Sequence, residues 1–145
     1  MTENFTLREL IKSSTATRME FTEQFDPSQE VIDNLQALAE NILQPLRDTI
    51  GHVIYVHTAY RCERLNSYIH GANNSQHMIG QAADIEDFQY GNEYLYKKII
   101  ELKLPFDQLI NEFGYDWIHV SYSPQNRRQK LIAYKLNGLT MYKKI

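Results

Sequence analysis

An apolar stripe in the first third of the chain is the sequence feature that most constrains the fold. Apolar residues recur there every three or four positions, which is the spacing of one face of an α-helix. The stripe consists of Val31, Leu35, Leu38, Ile42 and Leu46. Pro27 and Ser28 precede it as helix-starting residues, and Gly51 follows it as a C-cap. The sequence therefore predicts one long helix with an apolar face that other elements must cover.

Short segments rich in β-branched and aromatic residues can cover that face. The predicted strands are residues 53–58, 81–85, 106–110, 117–122 and 131–134. A turn at Gly114 joins the third and fourth of them, and the last is predicted to be an edge strand. The predicted shorter helices are residues 7–11, 61–68 and 93–102, with Asn92 as the cap of the third, whereas residues 13–25 are predicted to be irregular. Helices that precede and interrupt a small, mostly antiparallel sheet define the α+β class.

Length and composition fit one domain over residues 1–145. The net charge is -3 and there is no basic stripe, so nucleic acid is not an expected partner. The short cluster of Arg127, Arg128 and Lys130 is predicted to be a solvated turn. Cys62 is the single cysteine, which excludes an intrachain disulfide framework. A monomer is favoured.

The first residues of the chain lack a basic segment followed by an apolar run. We therefore expect no signal peptide, and no stretch of the sequence is long and apolar enough to predict insertion into a membrane. The expected location on synthesis is the cytoplasm.

Two of the five histidines stand in contexts that favour metal binding. His77 leaves a polar loop, and Asp84 follows seven residues later on a predicted strand, with a glycine and two alanines between them. His119 lies on the predicted neighbouring strand. Two imidazoles and one carboxylate form the ligand set of a catalytic zinc, which keeps its fourth position open for water. The sequence therefore predicts a Zn²⁺ site that is carried by the sheet.

A catalytic zinc polarises water, and a further group must take the proton that the water loses. Asp116, three residues before His119, is the candidate general base. His57 and Glu112 are the next candidates. In a straight strand, residues three apart face opposite sides of the sheet. Asp116 can therefore reach the site only from the turn after Gly114.

The motif Ser-x-His-x-x-Gly-x-Ala-x-Asp over residues 75–84, with an acidic residue three positions before a later histidine, resembles the zinc D-alanyl-D-alanine carboxypeptidase family. This family includes phage L-alanyl-D-glutamate endopeptidases, and it shares its fold with the hedgehog signalling domain. Other segments similar to its compact single-domain members are residues 5–10, 14–18, 38–47, 60–66, 106–110 and 117–121. The resemblance thus covers nearly the whole chain.

The resemblance implies the same three zinc ligands and the same general base. It also implies that Arg61 faces the metal cleft, where its planar guanidinium can bind either a developing oxyanion or a substrate carboxylate. Ser75 is expected to hydrogen-bond the substrate or His77. The sequence departs from the family pattern at Ala59, where glycine is usual, and at His57, where a small polar residue is common.

The function predicted in this way is zinc-dependent hydrolysis of peptide bonds in peptidoglycan stem peptides, by a carboxypeptidase or an endopeptidase. Aspartate rather than glutamate at position 116 is more common among the endopeptidases and weakly favours them. The alternative is a non-catalytic member that keeps the fold to bind the cell wall or to build a virion. Because the cell wall lies outside the membrane, the enzyme must be released to act, and phage or prophage lysis is one route.

Overall fold

The computed structural model describes residues 1–145 and contains the predicted long helix. It consists of α3, Gln29–Leu38, a π-helical turn, Ala39–Leu43, and α4, Gln44–Ile50. The Ser28 side chain caps α3 by accepting a hydrogen bond from the Val31 amide, and Gly51 ends α4 in the left-handed conformation. The wider π turn accommodates Pro45, which has no N–H and whose ring would otherwise meet the carbonyl four residues earlier.

Six strands form one sheet. They are β1, Tyr55–Thr58, β2, Ala82–Glu86, β3, Gln108–Glu112, β4, Trp117–Ser121, β5, Gln129–Leu136, and β6, Leu139–Lys144. Their order across the sheet is β1-β2-β4-β3-β5-β6. All neighbouring strands are antiparallel except β3 and β5, which are parallel. The predicted α+β class with a mostly antiparallel sheet is confirmed.

The end of the sheet differs from the prediction. Residues 131–134 belong to β5, which lies inside the sheet, and β6 is the true edge strand. Asn137 and Gly138 form the turn between these two strands, and both have the positive φ angles that a tight hairpin turn requires. Every residue of β6 is exposed, so β6 shows no alternation of buried and exposed residues.

The shorter helices are α1, Leu7–Ile11, α2, Ser14–Arg18, α5, Glu63–Tyr68, and α6, Asn92–Glu101. The prediction of an irregular segment at 13–25 is wrong, because it contains α2, capped by Ser13, and a 3₁₀ turn over Thr22–Phe25. Asn92 is not the cap of α6, whose N-cap is Gly91. No helix combines the length and the apolar composition that a membrane span requires.

The helices pack on one face of the sheet around a cluster of 27 buried apolar residues. From the helices this cluster takes Leu35, Leu38 and Leu46, and from the sheet it takes Ile85 and Ile118. Successive residues of a strand point to opposite faces, so the neighbours of these strand residues point away from the helices. We call that opposite side the cleft face; its central residues are Asp84 on β2, His119 on β4 and Glu112 on β3.

Candidate metal centre

The structure brings the three predicted metal ligands together. Asp84 and His119 are paired across β2 and β4, and His77 comes from a 3₁₀ turn, Gln76–Ile79, just before β2. The Asp84 Oδ1 atom lies 3.1 Å from His119 Nδ1 and 3.3 Å from His77 Nε2. The distance between these two nitrogens is 3.2 Å. Two imidazole nitrogens and one carboxylate oxygen therefore converge on one point.

The turn that carries His77 is fastened to the long helix. Gly80 ends it with φ +75°, and a Cβ atom there would lie 2.7 Å from the Val31 carbonyl oxygen. Asn34 on α3 donates a hydrogen bond to the Ile79 carbonyl at 2.7 Å. Only glycine satisfies both the left-handed backbone and the close approach. The motif glycine thus sets the position of His77 relative to β2.

Hydrogen bonding prepares His77 to bind a metal. Its Nδ1 atom lies 2.7 Å from the Ala59 carbonyl oxygen, which can only accept a hydrogen bond, so Nδ1 carries the proton and Nε2 presents a lone pair. Burial lowers the pKa of His77, which keeps the ring neutral. Burial acts to raise the pKa of Asp84, but the two histidines outweigh it and hold this pKa well below its ordinary value. A neutral imidazole and an ionised carboxylate are the forms that bind metals.

The donor set fits a catalytic zinc, which takes three protein ligands of these types. His119 presents Nδ1 to the cluster, while its Nε2 atom is buried and has no hydrogen-bond partner. Buried polar atoms of this kind are rare in proteins and call for an explanation. A metal held on Nδ1 would fix the ring proton on Nε2. His77, Asp84 and His119 are thus the residues that could hold the ion.

Glu112, and not Asp116, lies beside this centre. Glu112 is buried on the cleft face, and the charges of His119, Asp84 and Arg61 all act on it. Burial raises the pKa of Glu112 to about 7. Asp116 is exposed in the turn before β4. Of the two carboxylates, Glu112 is therefore the buried one that shares the cleft face with Asp84 and His119.

The turn that contains Asp116 is held in place through its backbone. The Asp116 amide donates to the Glu112 carbonyl, and the Asn92 side chain donates to the Asp116 carbonyl at 3.1 Å. His57, the other alternative base, lies on β1, where its half-exposed ring contacts Glu86. Among the three candidates, only Glu112 is buried next to the metal ligands.

Arg61 and Ser75 both contact the turn that carries His77. The Arg61 backbone amide donates to the His77 carbonyl, and its Nη2 atom donates to Ser75 Oγ at 3.1 Å. Ser75 Oγ also accepts a hydrogen bond from the His77 amide at 3.3 Å. The Arg61 Nε–H group is buried and has no partner in the protein. Ser75 thus orients both Arg61 and the ligand turn, and Arg61 keeps a free donor.

Gln24 supports this arrangement, and the sequence analysis missed it. Its fully buried side chain donates to the Tyr60 carbonyl at 2.9 Å and accepts from the Cys62 amide at 2.8 Å, so that it holds the backbone on both sides of Arg61. It also donates to the Ile11 carbonyl. These partners are 13 to 38 residues away along the chain, so no local sequence pattern predicts the contacts.

A second buried polar contact was also missed. Asp107 is fully buried, accepts a hydrogen bond from Gln76 at 2.9 Å and forms a two-pronged ion pair with Arg127. Burial acts to raise the pKa of Asp107, but hydrogen bonds from Arg127 and Gln76 lower it to about 2. Arg127 therefore secures the residue that precedes His77, and this part of the basic cluster is structural.

The chain matches a known protein family. Residues 3–121 match the peptidase M15 family, and the chain belongs to this family. No curated protein matches the chain. The match confirms the predicted family and gives the class of the protein as metallopeptidase, in a family that is in general zinc-dependent. Residues 122–145, which include β5 and β6, lie beyond the match.

Proposed function

We propose that this protein hydrolyses peptide bonds in peptidoglycan stem peptides with zinc on His77, Asp84 and His119, and with Glu112 as the general base. The observation that supports this most strongly is the position of Glu112. A buried carboxylate next to two imidazoles and an aspartate, on one sheet face, is an arrangement suited to proton transfer and costly for stability.

Zn²⁺ in such a site polarises the peptide carbonyl and lowers the pKa of water. Glu112 accepts the proton from the water as its oxygen attacks the carbonyl carbon. The same carboxyl group then delivers that proton to the leaving nitrogen as the C–N bond breaks. A pKa near 7 suits both transfers at neutral pH, since the group can take up a proton and release it again.

Arg61 contributes a fixed positive charge to the cleft. Its Nη2 atom is held by Ser75, while the buried Nε–H group is free to donate to substrate. This donor can bind the carbonyl oxygen as it becomes negative, or it can bind a substrate carboxylate. The first role is compatible with both an endopeptidase and a carboxypeptidase, whereas the second favours a carboxypeptidase.

The choice of stem peptides as substrate rests on the resemblance of the sequence motifs to D-alanyl-D-alanine carboxypeptidases and L-alanyl-D-glutamate endopeptidases. Ile110, Leu131 and Ala133 form a separate buried cluster. Ile110 is paired with His119, and therefore this cluster lies on the cleft face beside the metal ligands. All three side chains are buried, so they make the surroundings of the centre apolar and do not themselves present a surface to the substrate.

The test is a digestion of a synthetic stem pentapeptide that contains both the L-alanyl-D-glutamate and the D-alanyl-D-alanine bonds. Mass spectrometry of the products identifies the bond that is cut. We expect zinc-loaded protein to cut one of them, and the metal-chelated protein to cut neither. Binding of the peptide or of intact peptidoglycan without cleavage would instead indicate the non-catalytic alternative, a wall-binding or virion protein.

A further inference from the structure

Tyr142 on the edge strand β6 shares the cleft face with Glu112, although it lies in the part of the chain beyond the family match. Glu112 is paired with Ala133 on β5, and Ala133 is paired with Tyr142 on β6. Directly paired residues point to the same face of a sheet. Ala133 has no side chain beyond Cβ, so it leaves the space between Glu112 and Tyr142 open to the larger ring.

The Tyr142 hydroxyl lies in the electrostatic field of the charged groups at the metal centre. Burial raises the pKa of Tyr142, and the charges of Glu112 and Asp84 raise it further, while Arg61 acts in the opposite direction. Three strands, β4, β3 and β5, separate Asp84 on β2 from β6. Along the paired residues, Glu112 on β3 is therefore the group of the centre nearest to Tyr142.

The Tyr142 hydroxyl is also free to bind a ligand. More than half of the residue, 56%, is exposed, and the hydroxyl makes no hydrogen bond to another protein group. Tyr134 on β5 offers a contrast: it is paired with Met141, one position along, and therefore points to the opposite face. The two tyrosines lie on adjacent strands, and of these two only Tyr142 lies on the cleft face.

We propose that the Tyr142 hydroxyl donates a hydrogen bond to the oxygen of the scissile carbonyl as that oxygen gains negative charge, so that the β5–β6 hairpin supplies one wall of the active site. This inference rests on the proposed function. Because the bond strengthens as charge develops, its loss should lower kcat more than it raises KM.

The experiment compares wild type, Tyr142→Phe and Tyr134→Phe, all loaded with zinc. Removing the Tyr142 hydroxyl while keeping its ring should lower kcat for the stem pentapeptide about 100-fold with little change in KM. It should also weaken the binding of a phosphinate dipeptide, a mimic of the tetrahedral intermediate, about tenfold or more, as measured by calorimetry. Tyr134→Phe should match wild type in both assays.

Equal kcat and equal phosphinate affinity in Tyr142→Phe and wild type would overturn the inference, as would a raised KM with kcat preserved. If wild type binds the phosphinate but cuts no peptide, the affinity comparison alone decides. If wild type does neither, the proposed function itself fails, and the role of Tyr142 fails with it.

Discussion

The two faces of the sheet are built for different purposes. The face toward the helices is covered by a single cluster of 27 buried apolar residues. The cleft face carries the half-buried Asp84 with two buried histidines and a buried glutamate, beside an apolar cluster of only three residues. Burial of charge costs free energy, whereas burial of apolar area supplies it. We therefore expect substitutions on the helix face to change stability and those on the cleft face to change activity.

The largest effect is expected from Glu112→Gln. This change keeps the size of the side chain and removes its ability to take a proton. The rate should fall about 10²- to 10⁴-fold, while zinc binding is retained, because Glu112 is not a ligand. Peptide cleavage assays with parallel zinc analysis would measure both quantities.

Asp116→Asn is the matched control for Glu112→Gln. The two carboxylates are four residues apart, one buried and one exposed. Activity close to that of wild type is expected, since only the backbone of Asp116 is engaged in the turn. A large loss in this variant, with normal turnover in Glu112→Gln, would return the role of base to Asp116.

On the helix face, Leu38→Ala should lower the free energy of unfolding by about 2–5 kcal/mol, because it leaves a cavity in a fully buried part of the core. Urea denaturation measures this loss. Under conditions where the variant is folded, its kcat and KM should equal those of wild type. Impaired turnover in folded Leu38→Ala would show that the two faces are not independent.

Arg61→Lys tests which part of the substrate meets the cleft charge. Lysine keeps the charge and loses the planar donors, so we expect kcat to fall about 10- to 100-fold with a smaller change in KM. Steady-state kinetics on the stem pentapeptide distinguish this result from its alternative. A raised KM with kcat preserved would assign Arg61 to a substrate carboxylate and indicate a carboxypeptidase.

The smallest effect is the cost of Glu112 to stability. Its pKa rises from an ordinary value of 4.5 to about 7 on folding. Between about pH 4.5 and pH 7, Glu112 is therefore protonated in the folded protein and ionised in the unfolded chain. The free energy of unfolding falls across this range as the pH rises, because ionising the buried carboxyl group becomes a cost of folding. Metal-free Glu112→Gln should gain about 1–2 kcal/mol over metal-free wild type across this range, less than the pKa difference implies because the group keeps some contact with solvent.

Urea denaturation of both proteins in chelator at pH 4.5 and at pH 7.5 would measure this difference. A gap between them that does not widen with pH would mean that Glu112 ionises in the folded protein as easily as in water.

Local patterns were enough to predict the helix face. The stripe on α3 and α4 depends on neighbouring residues in the sequence, and the structure contains it as the long helix. His77 and Asp84 could be proposed as ligands because they share one short motif. Gly80 belongs to the same motif, but its close approach to Val31 on α3 joins segments that are distant in sequence.

Sequence spacing ranked Glu112, the proposed base, behind Asp116. Asp116 is closer to His119 along the chain, but the pairing of β3 with β4 and the burial of its carboxylate make Glu112 the residue beside the ligands. These properties exist only in the folded sheet. Gln24 was missed for the same reason, since its partners are distant in sequence.

The strand β6 was missed although a signal was present. Its residues are exposed on both faces, so hydrophobic alternation could not reveal it. The Asn137–Gly138 pair after a β-branched and aromatic segment is a strong hairpin signal. The preference of Asn-Gly for two-residue hairpin turns would have predicted a strand after Gly138. That strand, β6, contains Tyr142.

Zinc titration of the metal-free protein by calorimetry tests the central claim most directly. Wild type should bind one zinc ion per chain, and His119→Ala should lose this binding or weaken it at least 100-fold. His57→Ala, which changes a half-exposed histidine outside the cluster, should bind zinc as wild type does. Absence of zinc binding in wild type, or equal binding in His119→Ala, would contradict the assignment of His77, Asp84 and His119 as a metal centre.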